Sequence, residues 1–201
     1  NFIQISDNTA YYSSSTLEKG KYQTLIFKSN NKNGVWSKGR YEPLGESFSY
    51  SNINFPINDN NIYFSIINKS GNSKIALKRN DSPFHEILND NINLVNCTNT
   101  QPHKTTFKNI DVLYFVSDRK GGFGGLDIWF CIIDKFGNFG QAINAGEKIN
   151  SKHNEITPFY NVWTGELYFS SDRNNKQSGI DIYKSSGSLN LWEHSKKVEE
   201  L

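Results

Sequence analysis

One pattern constrains this chain more than any other. The segment Leu113-Tyr-Phe-Val-Ser-Asp-Arg119, followed by Gly124-Gly-Leu-Asp-Ile-Trp129, returns as Leu167-Tyr-Phe-Ser-Ser-Asp-Arg173 followed by Ser178-Gly-Ile-Asp-Ile-Tyr183. Both halves move together: Asp118 and Asp172 are 54 positions apart, and so are Asp127 and Asp181. Fainter copies stand upstream at Ile62-Tyr-Phe-Ser65 and Ala10-Tyr-Tyr-Ser13. An aromatic precedes each copy, at Phe2, Phe55, Phe107 and Phe159, and another follows at looser spacing, at Trp36, Phe84, Phe139 and Trp192. Four units of about 50 residues therefore fill the chain. A period of that length carrying several short strands indicates a radial or solenoid array.

Within one period the pattern is all-β. In the best-marked unit, strands are expected near Ile156 to Tyr160, at Glu166 to Ser171, at Ile180 to Ser185 and around Leu189 to Glu193. Each is short, aromatic or β-branched and bounded by Gly, Asn, Asp or Ser. Trp163-Thr-Gly165 and Phe136-Gly-Asn138 read as turns, because glycine accepts a positive φ at no steric cost. No stretch carries an apolar i, i+3, i+4, i+7 stripe over three turns, so helix content should be minor. Four antiparallel strands per period match a β-propeller blade, whose radial arrangement leaves only short sheet edges. The expected domain is a single propeller over residues 1–201, with repeats at 1–50, 51–103, 104–154 and 155–201. It would be either a closed four-bladed ring or part of a larger one.

Composition removes several functions. Lys plus Arg number 22 against 20 Asp plus Glu, a net charge of +2, which disfavours a nucleic-acid partner whose phosphates need many cations. The longest apolar runs, Val112 to Val116 and Ile128 to Ile133, fall far short of the ~20 residues a membrane-spanning helix needs. The chain starts without methionine or a basic-then-apolar leader, and reads as a mature product or an excised domain.

The unit Tyr-Phe-x-Ser-Asp-Arg, a Gly-containing loop, then Asp-Ile-Trp or Asp-Ile-Tyr resembles the WD-like propeller repeat of TolB and its relatives. The extended form is similar to propellers in envelope proteins of Bacteroidetes: Gly121-Gly-Phe-Gly-Gly-Leu-Asp-Ile-Trp129, then Asn144-Ala-Gly-Glu-Lys-Ile-Asn150, then Glu155-Ile-Thr-Pro-Phe159. In that group the propeller accompanies tetratricopeptide repeats and an OmpA-like peptidoglycan-binding domain, including a component of the type IX secretion and gliding machinery. The resemblance is strong over residues 97–193 and weak over 1–96. It implies a periplasmic or outer-membrane-associated location and an envelope protein as partner, with peptidoglycan reached only through domains this chain does not carry.

Chemistry-bearing residues are sparse. Asp118-Arg119 and Asp172-Arg173 could fork onto an anionic ligand. Their recurrence at one blade position favours scaffold instead, the Asp capping the turn between second and third strands and the Arg pairing with a neighbouring blade. Asp127 and Asp181 lie inside strands, where Asp is normally depleted, and a buried hydrogen-bonding role is expected of both. Gly121-Gly-Phe-Gly-Gly lacks the helix that a phosphate cradle requires. His85, His103, His153 and His194 show no metal-ligand spacing, and no catalytic motif or cofactor site is expected. Cys131 and Cys97, the latter aligned by the repeat with Ile149, are expected to be free, buried thiols.

Blade topology sorts charge by face. Loops between second and third strands share a face with the connections between blades, and there Arg119, Lys120, Lys152, His153, Arg173 and Lys176 gather around Phe123. This is the candidate partner-binding face, suited to a partner with an acidic surface. The expected function is a non-catalytic protein-interaction scaffold of the envelope. The alternatives are the propeller of a glycan- or peptide-active enzyme, and a lectin-like binder using rings such as Phe123 and Trp163.

Overall fold

The computed structural model describes residues 2–18, 21–42, 49–54, 56, 59, 61–67, 72–79, 82, 84–174 and 179–199; for 2–6, 16–18, 21–24 and 49–50 it describes the backbone alone. Four antiparallel meanders follow one another. The first contains β1 (Phe2–Ser6), β2 (Thr9–Glu18), β3 (Lys21–Lys32) and β4 (Val35–Trp36), with β5 (Arg40–Tyr41) also paired to β3. The second is β6 (Ser49–Asn54), β7 (Ile62–Ile67), β8 (Ser73–Lys78) and β9 (His85–Ile87). The third is β10 (Asn99–Phe107), β11 (Ile110–Ser117), β12 (Asp127–Ile133) and β13 (Ile143–Asn144). The fourth is β14 (Glu155–Asn161), β15 (Glu166–Ser171), β16 (Asp181–Ser188) and β17 (Leu191–Trp192), with β18 (Lys196–Lys197) paired to β16. No helix occurs among the described residues, and the architecture is a β-propeller.

Two-residue turns set the registers. Asn33-Gly34 and Lys108-Asn109 all have positive φ, the type I′ geometry whose twist matches the flanking strands. In the fourth sheet, β15 occupies the expected span, whereas the last strand is shorter than expected because Leu189 adopts φ 58° in the preceding turn. Strand β10 begins at Asn99 and runs across position 103/104, where one repeat was expected to give way to the next.

Alternation within each strand gives every sheet two packing faces. Tyr11 and Ile26 of the first sheet meet Ile53, Ile62 and Phe64 of the second. Tyr63, Ile75 and Leu77 of the second meet Leu113, Phe115, Trp129 and Cys131 of the third. Val112, Tyr114, Ile128 and Phe130 of the third meet Tyr160, Leu167, Phe169 and Tyr183 of the fourth. Among the described residues the first and fourth sheets make no comparable contact, so the four sheets form an arc.

The repeat alignment shifts in three places. Asn93 donates to and accepts from the backbone of Ile75, and Asn150 does the same with Ile128, so their predecessors Ile92 and Ile149 are the equivalent pair. Cys97 is therefore not the counterpart of Ile149 and is only half-buried, while Cys131 is fully buried; both are free thiols. Among the trailing aromatics Phe139 and Trp192 are buried but Phe84 is exposed. Phe159 pairs across its sheet with Tyr168 as His103 does with Tyr114, so Phe159 stands where His103 does, not where Phe107 does.

Candidate functional site

The Ser-Asp-Arg element builds the same buried lock twice. Ser117 Oγ donates to Asn99 Oδ1 (3.0 Å) and accepts from Arg119 N (3.3 Å) and Nε (3.1 Å). The Arg119 guanidinium continues to the Asn91 carbonyl (2.9 Å), the Ile92 carbonyl and Asn99 Oδ1 (2.8 Å), lying over the rings of Phe115 and Trp129. In the fourth sheet Ser171 accepts from Arg173, whose guanidinium reaches the Ile149 carbonyl, Ser195 Oγ (2.7 Å) and Glu155 (3.0 Å), over Phe169 and Tyr183. Glu155, fully buried, also accepts from Ser151 N, Ser151 Oγ and Ser171 Oγ, each at 2.7 Å. These charges are spent on the fold.

Arg119 is only 8% exposed, and the Arg173 side chain 17%. Neither presents its cation to a partner, which corrects their assignment to a basic docking face: flat guanidinium planes gain more from ring stacking and carbonyls here than from water. Lys120, Lys152 and Phe123 are exposed and His153 half-exposed; Lys176 lies outside the described residues. Phe123, Lys152 and His153 are brought together, because Gly124 lies against the 151–153 backbone. A Cβ on Gly124 would stand 2.1 Å from the His153 carbonyl oxygen. Gly125 N donates to that oxygen (3.2 Å) and Leu126 N to Asn154 Oδ1 (3.0 Å). The glycines serve close contact between sheets.

The aspartates divide. Asp118 accepts from Thr98 N (2.7 Å), and Asp172 from Asn154 N and Nδ2 (2.8 and 2.9 Å), which lowers the Asp172 pKa. They cap the connection entering the sheet and not the turn that follows them, a correction to the expected role. Asp127 is buried and accepts from Phe123 N (2.5 Å), Gly124 N (3.1 Å) and Asn144 Nδ2 (2.9 Å); burial raises its pKa and these donors oppose the rise. Asp181 departs from its counterpart: it is half-exposed and pairs with Lys197 at 2.9 Å. Two of the three donors to Asp127, Phe123 N and Gly124 N, come from the loop before it, whose sequence differs between the two repeats, and the third, Asn144, comes from β13.

A second feature has no counterpart in the sequence motifs. The leading strands of three sheets, β6, β10 and β14, each slip register between Ser51 and Asn54, Thr100 and His103, and Ile156 and Phe159. At each bulge one residue turns left-handed: Asn52 (φ 50°), Gln101 (φ 53°) and Thr157 (φ 54°). For a β-branched residue this is a costly conformation, held by its surroundings. Thr157 N donates to Gln101 Oε1 (2.6 Å), Gln101 N to Ser65 Oγ (3.0 Å) and Asn52 Nδ2 to Thr100 Oγ1 (3.2 Å), so each bulge is tied to a neighbouring sheet. Pro102 and Pro158 follow two of the three; proline inside a strand marks a bulge, and this was the available sequence signal.

Along these strands runs a groove of about 710 Å³, lined by Asn52, Gln101, His103, Thr157, Phe159 and Trp163 among others. The His103 ring lies 5.1 Å from the Phe159 ring. Asn54 Oδ1 accepts from Lys104 N (2.8 Å), so its amide nitrogen is the donor to His103 Nδ1 (3.2 Å). His103 Nε2 then carries the proton and donates to the Tyr160 carbonyl (3.4 Å). Burial pushes the His103 pKa down to about 4, against the pull of that carbonyl. Lys104, 7% exposed, sits between Asp111 (3.1 Å) and Asp59 (3.4 Å), and Thr106 Oγ1 donates to Asp111 (2.5 Å). Beyond Lys104 a cavity of about 330 Å³ opens among Asp59, Arg79, Asp134 and Phe136. Among the described residues no three His, Cys, Asp or Glu side chains converge as a metal site.

At the groove's mouth, Trp163 is 76% and Phe159 50% exposed. Asn161 Oδ1 accepts from Trp163 N (3.0 Å) and Thr164 N (3.3 Å), and Gly165 N donates to the Asn161 carbonyl (2.9 Å). The turn that displays the indole is thus hydrogen-bonded throughout.

No family model matches this chain, and no curated protein matches it. Solved structures do. A TolB-like protein of Agrobacterium tumefaciens superposes with a TM-score of 0.60 at 13% identity, over 96% of this chain and 64% of its own. TolB of Acinetobacter baumannii gives 0.59 at 10%, over 94% and 40%. An α-L-arabinofuranosidase of Fusarium graminearum, solved with an iminosugar inhibitor, gives 0.63 at 11%, over 98% and 65%. The chain spans from two-fifths to about two-thirds of these proteins, and at such identities the likeness establishes the propeller fold.

Proposed function

We propose that this domain is a non-catalytic recognition module of the bacterial cell envelope that meets its partner through the groove of the leading strands. The observation that carries the reading is the state of the groove's ionisable groups. Lys104 is held by Asp59 and Asp111, and His103 is neutral with both ring nitrogens engaged. Hydrolysis of a glycoside or peptide calls for an acid and a base, or a nucleophile, free to exchange protons beside the bond broken. Asp111 is the one carboxylate that reaches solvent among the groove's described residues, and it is held by Lys104 and Thr106. The other open groups are amides, hydroxyls and rings, which bind but do not transfer protons. The basic rim contributes less than its sequence suggested, since two of its arginines are internal.

The envelope location is supported by the resemblance of the Ser-Asp-Arg and Asp-Ile-Trp repeat and by the likeness to TolB proteins. The likeness to an arabinofuranosidase keeps an enzymatic reading open to direct test. Photo-crosslinkers placed at Thr157 and Trp163 should capture an envelope component that a crosslinker at Lys120 does not. The same protein should release nothing from chromogenic arabinofuranosides or peptides. Turnover of either substrate, abolished by Asp111→Asn, would replace this reading with a hydrolase.

A further inference from the structure

We infer that the groove's ligand is a neutral, hydroxyl-rich saccharide chain that stacks on Trp163 and Phe159. The inference rests on the reading that this groove is the contact surface. Charge speaks first. Lys104 is neutralised by two carboxylates and His103 is uncharged at neutral pH, so among the described residues the wall offers no free cation for a phosphate or carboxylate, and its one part-exposed acid, Asp111, is tied to Lys104 and is no acid cluster for a basic peptide.

The open polar groups are of the kind that suits sugar hydroxyls, which donate and accept at once. Among the described residues Gln101 Nε2 and Asn52 Oδ1 carry no hydrogen bond, while the opposite ends of the same amides are anchored to Thr157 N and Thr100 Oγ1. Each amide is thereby oriented with one end spare, one a donor and the other an acceptor. The strained bulges at Asn52, Gln101 and Thr157 are what set those side chains on the groove wall.

The rings supply the remaining element. Trp163 is exposed on a turn whose backbone is held by Asn161, and Phe159 is fixed against His103, so the backbone carrying one ring and the face of the other are set before binding, which limits the entropy lost. An apolar ring face beside amides matches a sugar, whose C–H face is apolar and whose edge is polar. A groove of about 710 Å³ lies within the range of ligand sites.

The test is calorimetric titration of the 201-residue domain with cellotetraose, xylotetraose, chitotetraose and arabinotetraose, and with an unstructured Gly-Ser peptide. At least one tetrasaccharide should bind. Trp163→Ala should weaken it by roughly tenfold or more, with Trp163→Tyr retaining most of the affinity. Circular dichroism should be unchanged in both variants, since the side chain is exposed. No binding by any tetrasaccharide, or equal binding by Trp163→Ala, overturns the saccharide assignment. Peptide binding sensitive to Trp163→Ala, without saccharide binding, also overturns it but leaves the groove as contact surface. Binding accompanied by new reducing ends supports the saccharide class while overturning the non-catalytic reading.

Discussion

Replacing Arg119 by Lys keeps the charge and removes the fork, which separates a scaffold role from a docking role. The guanidinium makes four hydrogen bonds, to Ser117 Oγ, the Asn91 and Ile92 carbonyls and Asn99 Oδ1, while lying over two rings at 4.9 and 5.3 Å. These bonds leave from three different nitrogens of the planar fork, and the one nitrogen of an ammonium cannot take the place of all three. Two charge-assisted bonds at about 1.5 kcal/mol each are lost, leaving buried acceptors short of donors, so the expected destabilisation is about 3 kcal/mol. For a domain of this size that corresponds to a fall in Tm of roughly 6–12 °C. Differential scanning calorimetry reads it directly, with Lys120→Glu as the exposed neighbour expected to stay within about 0.5 kcal/mol of the parent. A Tm for Arg119→Lys indistinguishable from that of Lys120→Glu would refute the lock, and would return Arg119 to the docking face expected from blade topology.

Three further outcomes follow from particular contacts. Gly124→Ala should cost about 2 kcal/mol or more in urea unfolding, because its Cβ would meet the His153, Ser151 and Lys152 backbone at 2.1–2.8 Å. Burial holds the folded His103 pKa near 4 against an ordinary histidine value of about 6.5, so the unfolded chain binds the extra proton between these limits. Its contribution is present above pH 6.5 and is lost as pH falls toward 4. His103→Gln should flatten that part of the stability curve, whose full height is about 3 kcal/mol. Thiol titration of the folded protein with an aromatic disulfide should report Cys97 promptly. Cys131, buried with its pKa pushed up to about 12, should react only on unfolding.

The repeat made the sheet order and most strand positions readable before any coordinates, because strand alternation and turn glycines act over neighbouring residues. Ser117, Arg119 and Asp127 were readable as recurrent, and recurrence favoured a scaffold role, yet blade topology placed the same arginines on a docking face; burial is what separates the two, and it is not local. The groove was less legible still. Asn52, Gln101 and Thr157 share no residue type, only a bulge, and a bulge is a relation between two strands. His103 and Phe159 occupy equivalent positions with unlike side chains, so the spacing of aromatics aligned Phe159 with Phe107 instead.

What the amino-acid sequence determined by itself is the four-fold β meander, its hairpin turns and the alternation that makes each sheet bury both faces. Those follow from local sterics and a period of two. The tertiary structure alone decided which charges are internal, that Asp127 is buried while Asp181 is half-exposed, and where polar side chains of three different strands share one groove. These depend on distances between sheets tens of residues apart, where hydrogen bonds such as Gln101 to Thr157 and Arg119 to Ile92 are formed, and no local pattern encodes them.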